Sequence, residues 1–132
     1  LQLAAEAARE KKAREIVVLD LRGLADFADH FLVCHGTSNR QVVAIADAIV
    51  EALETRLGVS PGHVEGRRVA DWVLLDYIDF VVHVFLEEKR SYYGLERLWG
   101  DAPTSTLDDP EEPARSAAPA PKARARTSRR RP

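Results

Sequence analysis

The sequence predicts one mixed α/β domain over about residues 1–101: a four- to five-stranded sheet with helices packed on it. Three observations point there. Segments 15–21, 30–35, 72–77 and 80–86 are short and rich in β-branched and aromatic residues, the composition of strands. Residues 39–57 place apolar side chains at helical spacing. Only Ile78 and Asp79 separate 72–77 from 80–86, which fits a tight hairpin.

In chain order, residues 2–14 are Ala-rich with interspersed charges and favour a helix, with Leu3, Ala7 and Ala8 on its weak apolar side. E-I-V-V-L-D-L (15–21) reads as a strand running into Arg22-Gly23, and H-F-L-V-C-H (30–35) as a second. The link between them is too short for a helical crossover, so they are expected to be antiparallel neighbours. Helix 39–57 has Ser38 as N-cap, Gln41 at capping-box distance and Gly58 at the C-terminal cap position. Its stripe is Val42, Ile45, Ala46, Ile49, Leu53 and Leu57. S-P-G (60–62) is a turn, and V-E-G (64–66) a short edge strand. Strands 72–77 and 80–86 are apolar enough to be central and covered on both faces. Residues 88–99 form a last helix, with Tyr92, Leu95, Leu98 and Trp99 on one side and Gly100 at its end.

From Pro103 the pattern dissolves. Residues 103–132 hold six of the seven prolines and few large apolar side chains, so 102–132 is expected to be a disordered Pro/Ala/Arg-rich tail. Its last eighteen residues carry seven basic groups and no acidic one. Such a tail either aids solubility or acts as an arm making weak contact with RNA phosphates.

Charge divides along the same line. Residues 1–101 hold 12 Lys and Arg against 17 Asp and Glu, and residues 102–132 hold 7 against 4. The folded part, at net −5, is a poor nucleic-acid binder over its whole surface; contact with an RNA machine would run through a protein or a local patch. The single cysteine, Cys34, excludes an intrachain disulfide and a cysteine-based zinc site, and within F-L-V-C it reads as a buried thiol. No apolar run approaches a membrane span, the N-terminal residues read as helix rather than secretory signal, and the expected compartment is the cytoplasm.

No catalytic, cofactor or metal site emerges. Gly36-Thr37-Ser38 entering a helix with Arg40 in its first turn resembles an anion site, but no phosphate-loop or dinucleotide motif accompanies it. The plainer reading is a turn followed by a capped helix. A Mg²⁺-dependent nucleotidyl-transfer site would need paired acids on one strand face; Asp76 and Asp79 lie across a turn, and Asp26 and Asp29 repeat that unsuitable spacing. His30, His35, His63 and His83 show no ligand spacing. His83 shares a face with Val81 and Phe85 and is expected to be a hydrogen-bonded, partly buried imidazole. Trp72, Tyr92, Tyr93 and Trp99 are many large aromatics for so small a domain; Trp72 is either core or interface, and Trp99 plugs the core.

These blocks together resemble the ribosomal silencing factor family, also called Iojap-related proteins. The resembling stretches are V-L-D-L-x-G (18–23), D-H-F-L-V-C-H-G-T-S-N-R-Q (29–41), E-G (65–66), D-W-V-L-L-D-Y (71–77), D-F-V-V-H-V-F (79–85) and R-S-Y-Y-x-L-E-R-L-W (90–99). The resemblance implies a nucleotidyltransferase-like topology without the catalytic acids, hence no enzyme and no cofactor. It implies binding to the large ribosomal subunit, chiefly through its fourteenth protein, which blocks small-subunit association and represses translation. Large-subunit assembly is the alternative, and the resemblance admits a homodimer, since members of the family often form one. Carried onto this chain, the partner-binding residues are Glu65, Gly66, Trp72, Asp76, Tyr77, Arg90 and Tyr93.

Overall fold

Ser38 and Gly58 bound the longest helix. In a computed structural model of the chain, which describes residues 1–107, α2 (Asn39–Leu57) begins where Ser38 Oγ accepts the Gln41 amide at 3.1 Å. It ends at Gly58 in the left-handed conformation, and Val42, Ile45, Ala46, Ile49 and Leu53 are its buried stripe. The expected Leu57 lies outside that stripe, exposed at the last turn. The first helix, α1 (Gln2–Glu10), is shorter than residues 2–14. It stops because Lys12 turns to φ 67° and Gln41 Nε2 donates to the carbonyls of Lys11 and Lys12, both at 3.1 Å.

Among the described residues, the strands β1 (Arg14–Asp20), β2 (His30–Gly36), β3 (His63–Glu65), β4 (Trp72–Asp76), β5 (Phe80–Leu86) and β6 (Thr104–Leu107) form one sheet in the order β3-β4-β5-β2-β1-β6. β1 and β2 are antiparallel, as their short link requires. β4 and β5 form the expected hairpin, and β3 is a three-residue edge strand on β4. β2 and β5 pair in parallel, Phe31 opposite Val81 and Phe85 opposite His35.

The strand count differs from four or five. β6 (Thr104–Leu107) pairs antiparallel with Ile16–Leu19 of β1, carrying the folded unit past residue 101. Thr-Ser-Thr presents no apolar alternation, so its strand character shows only once β1 offers an open edge; Pro103 feeds it there by accepting the Asp20 amide at 2.9 Å. The rest of the expected tail, residues 108–132, lies outside the described residues. The last helix also departs from a continuous 88–99. It splits into α3 (Glu87–Tyr93) and α4 (Leu95–Leu98) at Gly94, whose φ of 61° no helix interior accepts.

Two apolar clusters lie on opposite faces of the sheet. On one, α1 and α2 cover Ile16, Leu32, Cys34, Val73, Leu75, Val82 and Val84. On the other, which we term the outer face, Val17, Leu19, Phe31, Val33, Val81 and Phe85 pack beneath Leu21, Ala28, Leu95 and Trp99. β5 is buried on both faces as expected. β4, expected to be covered on both faces as well, instead alternates between buried and half-buried, because its outer face is covered only in part. Cys34 is fully buried, and desolvation pushes its thiol pKa up to about 12, so it is an inert core group.

Candidate functional site: an aromatic outer face

Strand period two places Trp72, Leu74 and Asp76 on the outer face, with Val73 and Leu75 beneath the helices. The register sets Glu65 opposite Leu74, and Leu74 opposite His83, so these three share that face. On it runs a chain of aromatic rings. Phe27 meets Trp99 at 6.0 Å, Trp99 meets Phe31 at 6.1 Å, and Phe31 stands edge-on to His83 at 4.4 Å between centroids. Trp72 lies 5.0 Å from Phe85 and 4.6 Å from Tyr93, which touches Tyr92 at 5.2 Å. The middle of this chain is buried and its ends are open: Phe27 is 61% exposed, Tyr92 76% and Tyr93 43%. Lys89 Nζ stands 5.5 Å over the Tyr92 ring.

Trp72 joins the two regimes. Its Nε1–H donates to His83 Nδ1 at 3.0 Å while its ring, half-buried, reaches Tyr93. Because Nδ1 accepts, the neutral imidazole carries its proton on Nε2, which has no hydrogen-bond partner among the described residues. Burial of His83 lowers its pKa to about 4, so the ring stays neutral. The hydrogen-bonded, buried histidine expected from the sequence is what the structure shows.

The seven residues assigned to partner binding separate into groups. Glu65, Trp72, Asp76 and Tyr93 belong to the outer face or its rim. Gly66 supports that rim from below: with φ 82°, it approaches so closely that a Cβ would overlap the Trp72 carbonyl. Tyr77 and Arg90 are both buried. Tyr77 lies in the helix-side core, its ring stacked on Phe80 at 5.0 Å, and desolvation followed by the Glu54 charge pushes its pKa up to about 12. The Arg90 guanidinium clasps Glu96 in a fork at 2.9 and 3.0 Å. Its Nη1 donates to His35 Nδ1 at 2.9 Å and to the Arg14 carbonyl at 3.4 Å. Arg90 therefore braces α3 and α4 against β1 and β2, and presents no free face to a partner.

Sequence reasoning named Gln41 only for its capping-box spacing and passed over Asn39, both in the G-T-S-N-R-Q stretch. Gln41 accepts from Thr37 N at 2.8 Å while its amide holds the Lys11–Lys12 turn. Asn39 Nδ2 donates to the carbonyls of Val69 and Ala70 at 3.2 Å, and Ala70 has φ 63°. The start of α2 thus clamps two left-handed turns. The Thr37 amide and Ser38 hydroxyl are used inside the fold, which supports the capped-turn reading over an anion site. Asp76 Oδ1 accepts from Ile78 N at 2.9 Å and holds its own turn. Among the described residues, no three His, Cys, Asp or Glu side chains gather where they would share a metal ion.

Comparison with known proteins gives this geometry a family. The model of "Ribosomal silencing factor during starvation" (RsfS) matches residues 1–132. A ribosomal silencing factor RsfS of Bacillus subtilis is 48% identical over 108 residues, 82% of this chain and 91% of that protein. A crystal structure of a Bacillus halodurans protein is similar at TM-score 0.70 and 43% identity, covering 80% of this chain and 95% of that one. More distantly, a Mus musculus protein named for mitochondrial assembly of the ribosomal large subunit is 32% identical over 93 residues, 69% of this chain and 41% of its own length. The chain with the aromatic outer face belongs to the ribosomal silencing factor family.

Proposed function

We propose that this protein silences ribosomes by docking its outer face on the large subunit, chiefly against the fourteenth large-subunit protein, where it excludes the small subunit. It works by occupancy and needs no turnover. The observation that carries the reading is the run Trp72–Tyr93–Tyr92, half-buried at one end and exposed at the other, with Glu65 and Asp76 on the same face. A half-buried aromatic held by a hydrogen bond is already ordered, so docking against it sacrifices little side-chain entropy. The folded part carries net negative charge, which suits a basic, RNA-bound protein and speeds encounter with it. The kinship with proteins named ribosomal silencing factor supplies the biological setting.

A second reading, assistance to large-subunit assembly, is favoured by the name of the mouse relative and uses the same surface. Both begin with attachment to free large subunits.

The test pairs co-sedimentation with a purified subunit-joining assay. Wild-type protein is expected to travel with free large subunits, to be absent from joined ribosomes and to inhibit joining. The Tyr92→Ala/Tyr93→Ala variant removes two exposed rings, of which Tyr93 also packs on Trp72, so its circular dichroism should match wild type with a modestly lower melting midpoint while its affinity falls on the order of tenfold. Wild-type protein that ignores large subunits, or attaches equally to joined ribosomes, would sink the function. Undiminished binding by the folded double variant would sink the face.

A further inference from the structure

The clamps at the start of α2 bring together basic residues that are far apart in sequence. Gln41 Nε2 holds the carbonyls of Lys11 and Lys12, and Asn39 Nδ2 holds those of Val69 and Ala70. Arg40 sits between the two clamping residues, and Arg67 and Arg68 precede Val69. Arg67 is committed to Asp47, with Nε–Oδ1 at 2.9 Å and Nη2–Oδ2 at 2.6 Å. Lys11, Lys12, Arg40 and Arg68 are exposed, and among the described residues none of them engages a carboxylate. Four exposed cations therefore lie on segments tied together at the start of α2, in a domain whose overall charge is negative. Glu6 and Glu10 border the cluster on the α1 side, where they line a depression with Arg9 and Lys12, and half-buried Asp71 borders it beyond Ala70.

We infer that Lys11, Lys12, Arg40 and Arg68 form a phosphate-contacting patch for the backbone of ribosomal RNA, adjoining the aromatic docking face. The inference rests on the proposed function for its setting. A basic protein would be repelled by this end of the molecule, whereas RNA phosphates complement it. The patch lies beside the docking face because the turn holding Arg68 runs through Ala70 and Asp71 into Trp72, and Gly66 packs against the Trp72 carbonyl. A footprint of this kind, an acidic aromatic face on a basic protein and a cationic corner on neighbouring RNA, fixes orientation as well as affinity. The clamps matter because they fix where both turns stand, so the cations are positioned before RNA arrives.

The experiment compares full-length wild type with a Lys11→Gln/Lys12→Gln/Arg40→Gln/Arg68→Gln variant, after matched melting midpoints establish that the variant folds. Each binds a fluorescent RNA hairpin and, separately, purified large subunits across a salt series. Losing four phosphate contacts should lower the slope of log affinity against log salt by about three in both arms, with affinity near 0.1 M salt falling on the order of a thousandfold. The basic residues beyond 107 are the same in both proteins and cancel. An unchanged slope on the hairpin overturns the patch. Should wild type show the patch-dependent slope on the hairpin but ignore large subunits, the patch stands and the docking function falls.

Discussion

Trp72 and His83 set the chemistry of the outer face at the level of single residues. The indole N–H fixes the imidazole tautomer, and the buried imidazole fixes the indole, so the ring offered to Tyr93 is held by a group that loses its acceptor when protonated. The pKa of His83 falls from 6.5 to about 4 because burial disfavours the charged form. Below pH 6.5 the unfolded chain therefore takes up a proton that the folded chain refuses. The stability contributed by neutral His83 is complete above pH 6.5, drains away as pH falls toward 4, and is lost below it, a change of roughly 3 kcal/mol. Urea unfolding at pH 7.5 and 4.5 should show a smaller acid loss in His83→Gln than in wild type; equal losses would reject the assignment. His83 was legible in the sequence because strand alternation alone puts it beside Val81 and Phe85. Arg90 was not. Its partners Arg14 and His35 lie 76 and 55 residues away, and nothing local distinguishes a guanidinium that reaches back into the fold from one that faces a partner. Tyr77 misled for a related reason: alternation gives its face correctly, but not that α2 covers it.

Among the elements, α2 was readable nearly to the residue, because a cap, a stripe and a terminal glycine are all local signals. β6 was unreadable because its pairing depends on what lies beside it. Without β6, the outer ladder of β1 would stand open, an invitation to intermolecular pairing. A chain ending at Asp101 should therefore melt roughly 5 °C below one ending at Leu107 and aggregate sooner on heating. Scanning calorimetry with light scattering measures both, and identical midpoints would reduce β6 to an ornament. The break at Gly94 belongs to the same scale. The turn there brings Glu96 back under Arg90, a contact that an unbroken helix from 88 to 99 would carry away from it.

At the scale of the whole molecule, one sheet serves both cores, so neither can dissolve alone. Trp72 and Trp99 pack against the outer cluster, whereas α1 and α2 cover the opposite face. Tryptophan fluorescence and far-ultraviolet circular dichroism should accordingly report one coincident unfolding transition. A fluorescence change that precedes the helical one would mean that the outer face loosens independently. The two sides of the sheet meet along β2 and β5, whose paired residues lie about fifty positions apart in the chain. That seam has a consequence for biogenesis. While the chain is being synthesised, β2 has no parallel neighbour until Leu86 has left the exit tunnel, so a half-made copy leaves β2's ladder groups unpaired on that side. Chaperone demand should peak in that interval and vanish once β5 arrives.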